Sequence, residues 1–164
     1  MSEYLQSFAS TLSDVCRELN WDKVEEMISI LTTLRSRGGR LMILGLGGSA
    51  GNASHMVNDV RKLTGIEAYA PTDNVSEFSA RVNDDGWGQA MVGWLQVSKL
   101  TDRDAVCILS VGGGDLERNV STELVHASNH AAAVGAKIIG IVGRDGGHTA
   151  KVGDCVVVVP TPEA

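Results

Sequence analysis

Cysteine is scarce in this sequence. Cys16, Cys107 and Cys155 are the only three among 164 residues, and no CxxC occurs. An odd count at wide spacing excludes a disulfide framework and a CxxC redox or zinc motif. Cys107 and Cys155 sit inside apolar runs and are expected as buried free thiols, which fits a reducing cytoplasmic setting. Basic charge is also short: fourteen Lys and Arg stand against twenty Asp and Glu, a net charge of −6. That excludes the clustered cationic surface a nucleic-acid backbone needs, so no nucleic-acid partner is expected. An apolar run of about 18 residues is absent too, so no membrane span is expected. The opening MSEYLQSFAS lacks the basic and apolar regions of a signal peptide.

Glycine is what the sequence has in excess, 19 residues, and they cluster. Clustered glycines point to backbone turns built around a ligand. A nest of backbone N–H groups can hold phosphate even in an acidic protein. The length suits one domain over residues 1–164 with a single core.

Residues 3–37 read as helical. Leu5, Phe8, Leu12 and Val15 mark a first helix. Val24, Met27, Ile28, Leu31 and Leu34 form the stripe of a second, capped by Asn20 and stopped by Gly38-Gly39. The pattern then changes. RLMILGLGG, GIEAYAP, DAVCILSVGGG, KIIGIVGRDGG and CVVVVP read as five apolar strands. Helices are expected over NASHMVNDVRKL, residues 86–100 and RNVSTELVHASNHAAAVGA, with a short helical turn at TAKVGD. Apolar strands without alternation, separated by helices, imply a parallel sheet covered on both faces. Three strands end in glycine-rich turns, which should gather at the carboxyl edge of the sheet, where ligands bind.

The first glycine loop admits two ligands. Gly45, Gly47 and Ala50 satisfy the G-x-G-x-x-A dinucleotide pattern, with Glu67 about 20 residues on. The long helical segment ahead of the first strand is unlike a dinucleotide domain, and no nucleotide cofactor is expected. A phosphomonoester suits the loops better: Gly47, Gly48 and Ser49 offer donors at a helix N-terminus, and Ser110 with residues 112–114 offers them from a second loop. Below the first loop, His55 and Asp59 stand at i and i+4 on one helical face. A carboxylate there can move a proton between neighbouring carbons with the imidazole as its acid partner, or both can ligate a metal. His126 and His130 share the same spacing and are expected on a solvated face. His148 follows GRDGG, near the ligand edge. Asn83-Asp84-Asp85-Gly86 reads as a loop and helix cap.

Four segments, in order, resemble one family. GLGGSAGNASHMVND (residues 45–59) resembles the G-N-G-G-S-x-x-x-A-x-H-x-x-x-E segment of the sugar isomerase (SIS) domain family. DNVSEFSARVNDDGW is similar to a stretch of its phosphoheptose isomerase branch ending in N-D-x-G-[FW]. LSVGGGDLERNV stands where the family has S-x-S-G-x-S, and IVGRDGGHTAKVGD is close to the branch's G-[KR]-D-G-G turn. The likeness spans about residues 21–160.

This resemblance implies a flavodoxin-like three-layer α/β/α sandwich with a five-stranded parallel sheet. The N-terminal helices, residues 3–37, would pack in a homotetramer with sites between subunits. It implies an aldose–ketose isomerase on a phosphorylated sugar, converting sedoheptulose 7-phosphate to D-glycero-D-manno-heptose 7-phosphate through an enediol, a step toward the heptose of lipopolysaccharide and other bacterial glycans. Gly47, Gly48 and Ser49 would bind substrate, Asn83 and Asp84 would contact it, and Ser110, Val111 and Gly112 would hold phosphate. His55 and Asp59 would be the catalytic pair and zinc ligands. A non-catalytic SIS module that binds a sugar phosphate or a protein partner is the alternative. The sequence departs from the pattern at three places. Asp59 stands for a glutamate. Gly112 stands for a serine, with Asp115 near the place of another. The family's following helix, with a glutamine or glutamate and a histidine, would lie past PTPEA.

Overall fold

The computed structural model describes residues 2–160, so Met1 and residues 161–164 of the PTPEA end lie outside the described residues. Two helices come first, α1 (Glu3–Glu18) and α2 (Trp21–Ser36). The Asn20 side chain accepts the Lys23 N–H at 3.1 Å, the cap expected for α2. Then follow β1 (Leu41–Leu44), α3 (Gly48–Asp59), β2 (Ala68–Tyr69), α4 (Val75–Asp85), α5 (Ala90–Val97), β3 (Ala105–Ser110), α6 (Thr122–Ala133), β4 (Lys137–Val142), α7 (Gly147–Val152) and β5 (Cys155–Val158).

The five strands pair in the order β2-β1-β3-β4-β5, all parallel. Pleating divides their side chains between two cores. Leu41, Ile43, Cys107 and Ile139 pack with Met27 and Leu34 of α2 and Ala53 and Val57 of α3. Met42, Leu44, Val106 and Ile108 face the other way, onto Met91, Trp94 and Leu95 of α5 and Leu124 and Ala127 of α6. All five expected strands and the covered parallel sheet are present, and Cys107 and Cys155 are buried thiols. Burial pushes the Cys107 thiol up to about 12, so it stays protonated and inert. The chain turns to opposite sides of β1 to reach β2 and β3, so a switch point lies at the carboxyl ends of β1 and β3.

Three elements differ from expectation. Asn83, Asp84 and Asp85 are not a loop but the last turn of α4, and only Gly86, at φ +83°, leaves the helix. Asn74 caps this helix by accepting the Glu77 N–H at 3.2 Å, and Arg81 links Glu77 (2.9 Å) to Asp85 (3.9 Å) along one face. Such i, i+4 pairs stabilise a helix that has no buried residue. Next, α6 starts at Thr122 rather than near Arg118, because Asp115 and Val120 exchange two backbone hydrogen bonds of 2.8 and 2.9 Å that close a tight loop first. Finally, His126 and His130 are half-buried rather than solvated, because α6 packs against both α5 and α7.

Candidate functional site

The glycine loops gather at the carboxyl edge of the sheet, as expected for a parallel α/β fold. Each is held differently. Gly47 sits at φ +55°, a conformation that favours glycine, and turns the chain into α3. Added methyl groups at Gly47 and Gly48 would meet nothing within 4 Å, so this loop is open to an approaching ligand. The second and third loops instead grip each other. The Gly113 carbonyl accepts the Thr149 N–H at 2.9 Å and the Thr149 hydroxyl at 2.7 Å, and the Gly114 carbonyl accepts the His148 N–H at 2.8 Å. A Cβ on Gly113 would lie 1.9 Å from the Gly146 oxygen. Gly113 therefore serves close approach of two backbones, not ligand contact.

A cavity of about 340 Å³ opens between the first two loops at the switch point. Its polar lining residues are Ser49, Ser110, Ser121 and Arg144; Val111 and Gly112 join them, with Leu46, Leu109, Val120 and Leu124 as the other apolar lining. The Ser110 hydroxyl accepts the Gly113 N–H at 3.1 Å. The N–H groups of Val111 and Gly112 make no hydrogen bond among the described residues. Four expected binding residues, Ser49, Ser110, Val111 and Gly112, thus line one cavity, with Gly47 and Gly48 on its rim loop. Arg144 joins them from the GRDGG turn. Sequence reasoning recognised that turn but gave no role to its arginine; the only available signal was a cation inside a glycine loop.

His55 and Asp59 meet on α3, Nε2 to Oδ2 at 3.4 Å, but they line no part of this cavity. Their side chains are 77% and 50% exposed. Ten residues of helix, about 15 Å, separate Asp59 from Ser49. Asn83 and Asp84 are also exposed, with the Asn83 amide donating to Asp84 at 2.7 Å, and they line no part of it either. Asp115 does not line this cavity: it accepts the Arg118 N–H at 3.0 Å and lines a separate cavity of about 230 Å³ with His148 and Lys151. His148 is held by Asn129 at 2.8 Å, and burial lowers its pKa, with Lys151 and His126 adding to the effect.

Zinc finds only part of a shell. His55 and Asp59 are suitable donors at suitable spacing, yet among the described residues no third His, Cys, Asp or Glu joins them. Structural and catalytic zinc sites use three or four protein ligands. This chain's described residues therefore do not complete a zinc site.

Comparisons with known proteins converge. The model of the SIS domain family matches residues 3–143. A phosphoheptose isomerase of Syntrophotalea carbinolica is 31% identical over 165 residues, covering 95% of this chain and 80% of the relative. A phosphoheptose isomerase of Geobacter metallireducens is 31% identical over 163 residues, covering 96% and 82%. Among solved structures, the phosphoheptose isomerase of Neisseria gonorrhoeae superposes with a TM-score of 0.81 at 23% identity, over 98% of this chain and 86% of that one. This last likeness shows the shared fold.

Proposed function

Because the chain belongs to the SIS domain family, within its phosphoheptose isomerase branch, we propose that it isomerises sedoheptulose 7-phosphate to D-glycero-D-manno-heptose 7-phosphate. The observation that carries this reading is the cavity at the switch point, where Ser49, Ser110 and the free N–H groups of Val111 and Gly112 converge. Such a cluster of donors at the head of a helix suits a phosphomonoester. Gly47 and Gly48 leave room for the sugar beside it.

Aldose–ketose exchange needs a group that removes a proton from one carbon and returns it to the next. Asp59 is the carboxylate for this, and His55, within 3.4 Å, orients it and supplies a proton to the sugar oxygens. Both act through an enediol, whose developing oxyanion needs a donor. Zinc at His55 and Asp59 belongs to the same proposal only with further ligands from outside the described residues, and no step above passes through it. A non-catalytic role has weaker support, because the relatives matched over about four fifths of their length are isomerases by name.

Asp59 and the phosphate cavity of one chain are far apart along α3, so the complete site is expected between subunits of a homotetramer. Helix α1 supports this. It has no buried residue, and Tyr4, Leu5, Phe8 and Leu12 expose an apolar stripe, from 51% to 75%. A lone 16-residue helix with such a face is marginal in water and calls for a cover. The double substitution Phe8→Glu, Leu12→Glu is expected to reduce the particle mass measured by light scattering to that of a smaller species and to lower turnover with it. An unchanged mass would remove α1 from the interface. No helix among the described residues is long and apolar enough to cross a membrane, and a cytoplasmic site of action is part of the same reading.

The direct test incubates the purified protein with sedoheptulose 7-phosphate, with and without added zinc, and follows the aldose product by proton NMR. In deuterated water a proton-transfer mechanism exchanges the carbon-bound hydrogen at C1. No product and no exchange under either condition would end the isomerase reading.

A further inference from the structure

We infer that Arg144 is the anchor for the phosphoryl group, supplying by charge-assisted hydrogen bonds the hold that neutral hydroxyls would supply in the serine loop this segment resembles; the inference rests on the sugar-phosphate reading above. Four observations carry it. Arg144 is the only ionisable side chain lining the switch-point cavity among the described residues. It lies over the place where a serine is missing: a Cβ built on Gly112 would sit 3.5 Å from its Nη1 and 3.7 Å from its Cδ. No carboxylate pairs with it among the described residues; its neighbour Asp145 is turned away and accepts the Gly147 N–H at 3.1 Å. Its backbone stands at φ +54°, in the left-handed region where glycine is at ease and a long side chain is not.

The last point separates a functional side chain from a structural one. In a turn already rich in glycine, a glycine at 144 would relieve the backbone. An arginine kept in a strained conformation at a cavity wall points to work done by its side chain. The chemistry suits the cavity. A guanidinium presents a planar fork that pairs two phosphate oxygens at once, and it stays charged at all working pH values. The N–H groups of Val111 and Gly112 then reach the same oxygens from the adjacent wall. In a chain of net charge −6, one unpaired cation facing the cavity would favour a phosphorylated sugar over its neutral counterpart.

The test titrates inorganic phosphate into the full chain by calorimetry and, separately, measures initial rates with sedoheptulose 7-phosphate. Arg144→Gly is expected to weaken phosphate binding and raise KM by roughly 10- to 100-fold, the loss of one charge-assisted anchor. Its kcat changes far less, and its melting temperature does not fall, because the backbone strain is relieved. Arg144→Lys keeps part of the affinity as a point charge. Adding Gly112→Ser to Arg144→Gly recovers part of it, since the space beside Gly112 is bounded only by Arg144 itself. Unchanged phosphate affinity and KM in Arg144→Gly, with normal turnover, would overturn the anchor and leave the isomerase reading intact. Phosphate binding that the wild type shows and Arg144→Gly loses, together with no turnover of heptulose phosphate by the wild type, would keep the anchor and defeat the isomerase.

Discussion

Asp59→Asn is expected to lower kcat by about 10²- to 10⁴-fold, the range for removing a positioned general base. The amide keeps the shape of the carboxylate and cannot take a proton from carbon. It also loses the charge facing His55 Nε2 at 3.4 Å, while the Asn58 amide, which donates to Asp59 Oδ1 at 3.0 Å, can donate to the carbonyl oxygen of the substituted side chain instead. Because the Asp59 side chain is half exposed at the end of α3 and packs into neither core, the fold should survive, with a melting temperature close to wild type. Asp59→Glu tests reach rather than chemistry. The extra methylene moves the carboxylate by about 1 Å, a displacement worth up to about 100-fold in rate. The expected order of kcat is therefore wild type, then glutamate, then asparagine. Phosphate affinity should be the same in all three, because the cavity proposed to hold phosphate lies about 15 Å away along the helix. Equal kcat for Asp59→Asn and wild type would assign the base elsewhere.

Asp104→Ala is expected to destabilise the fold by about 1.5–3 kcal/mol, the cost of removing a buried carboxylate that accepts charge-assisted hydrogen bonds from a partner a quarter exposed. Asp104 is 3% exposed at the start of β3, at the opposite end of the sheet from the loops. It accepts the Arg40 side chain at 3.1 and 2.7 Å, the Arg40 N–H at 3.0 Å and the Thr101 N–H at 3.0 Å. Arg40 in turn donates to the Ser98 and Lys99 carbonyls at 2.9 Å each. One pair thus ties the entries of β1 and β3 to the end of α5. Urea denaturation should show the midpoint falling with the slope unchanged.

The same pair sets a pH dependence. Burial pushes the Asp104 carboxyl up, but hydrogen bonds from Arg40 and Thr101 outweigh it, and the net shift is downward. A depressed folded-state pKa contributes stability that is fully present above the unfolded value of about 3.9 and is lost as pH falls through the folded value. Wild type should therefore lose stability more steeply than Asp104→Ala below about pH 4. Parallel curves would show that the pair carries no linkage.

Periodicity decided which elements could be read before the fold was known. Strands such as LMIL and AVCILS were legible because a parallel strand buried on both faces must be apolar throughout, and the burial of all four residues of β1 bears this out. The glycine loops were legible as a group because they close those strands. Helix α4 was not legible: its apolar stripe is short, Val75, Phe78 and Val82, with Phe78 alone packed on a core, and much of its support is Asn74 capping and the Glu77–Arg81–Asp85 row. The start of α6 was hidden for a related reason, since the Asp115–Val120 loop is held by backbone bonds that no side-chain pattern announces.

By itself the sequence determined the five strands and most of the helices between them, the two-sided core and the motif set that assigns the chain to its family, all of which depend on local spacing along the chain. Tertiary structure alone decided which loops meet. It put Ser49, Ser110 and Gly112 around one cavity, bound Gly113 to Gly146 and Thr149 instead of a ligand, and turned Asp115 away. It also brought Arg144, over thirty residues beyond Gly112 in the chain, to stand above it. The physical reason is that strand order, not sequence order, sets the neighbours at the carboxyl edge. The register of β3 against β4 places Ser110 beside Val142, and the loops that follow them share one wall.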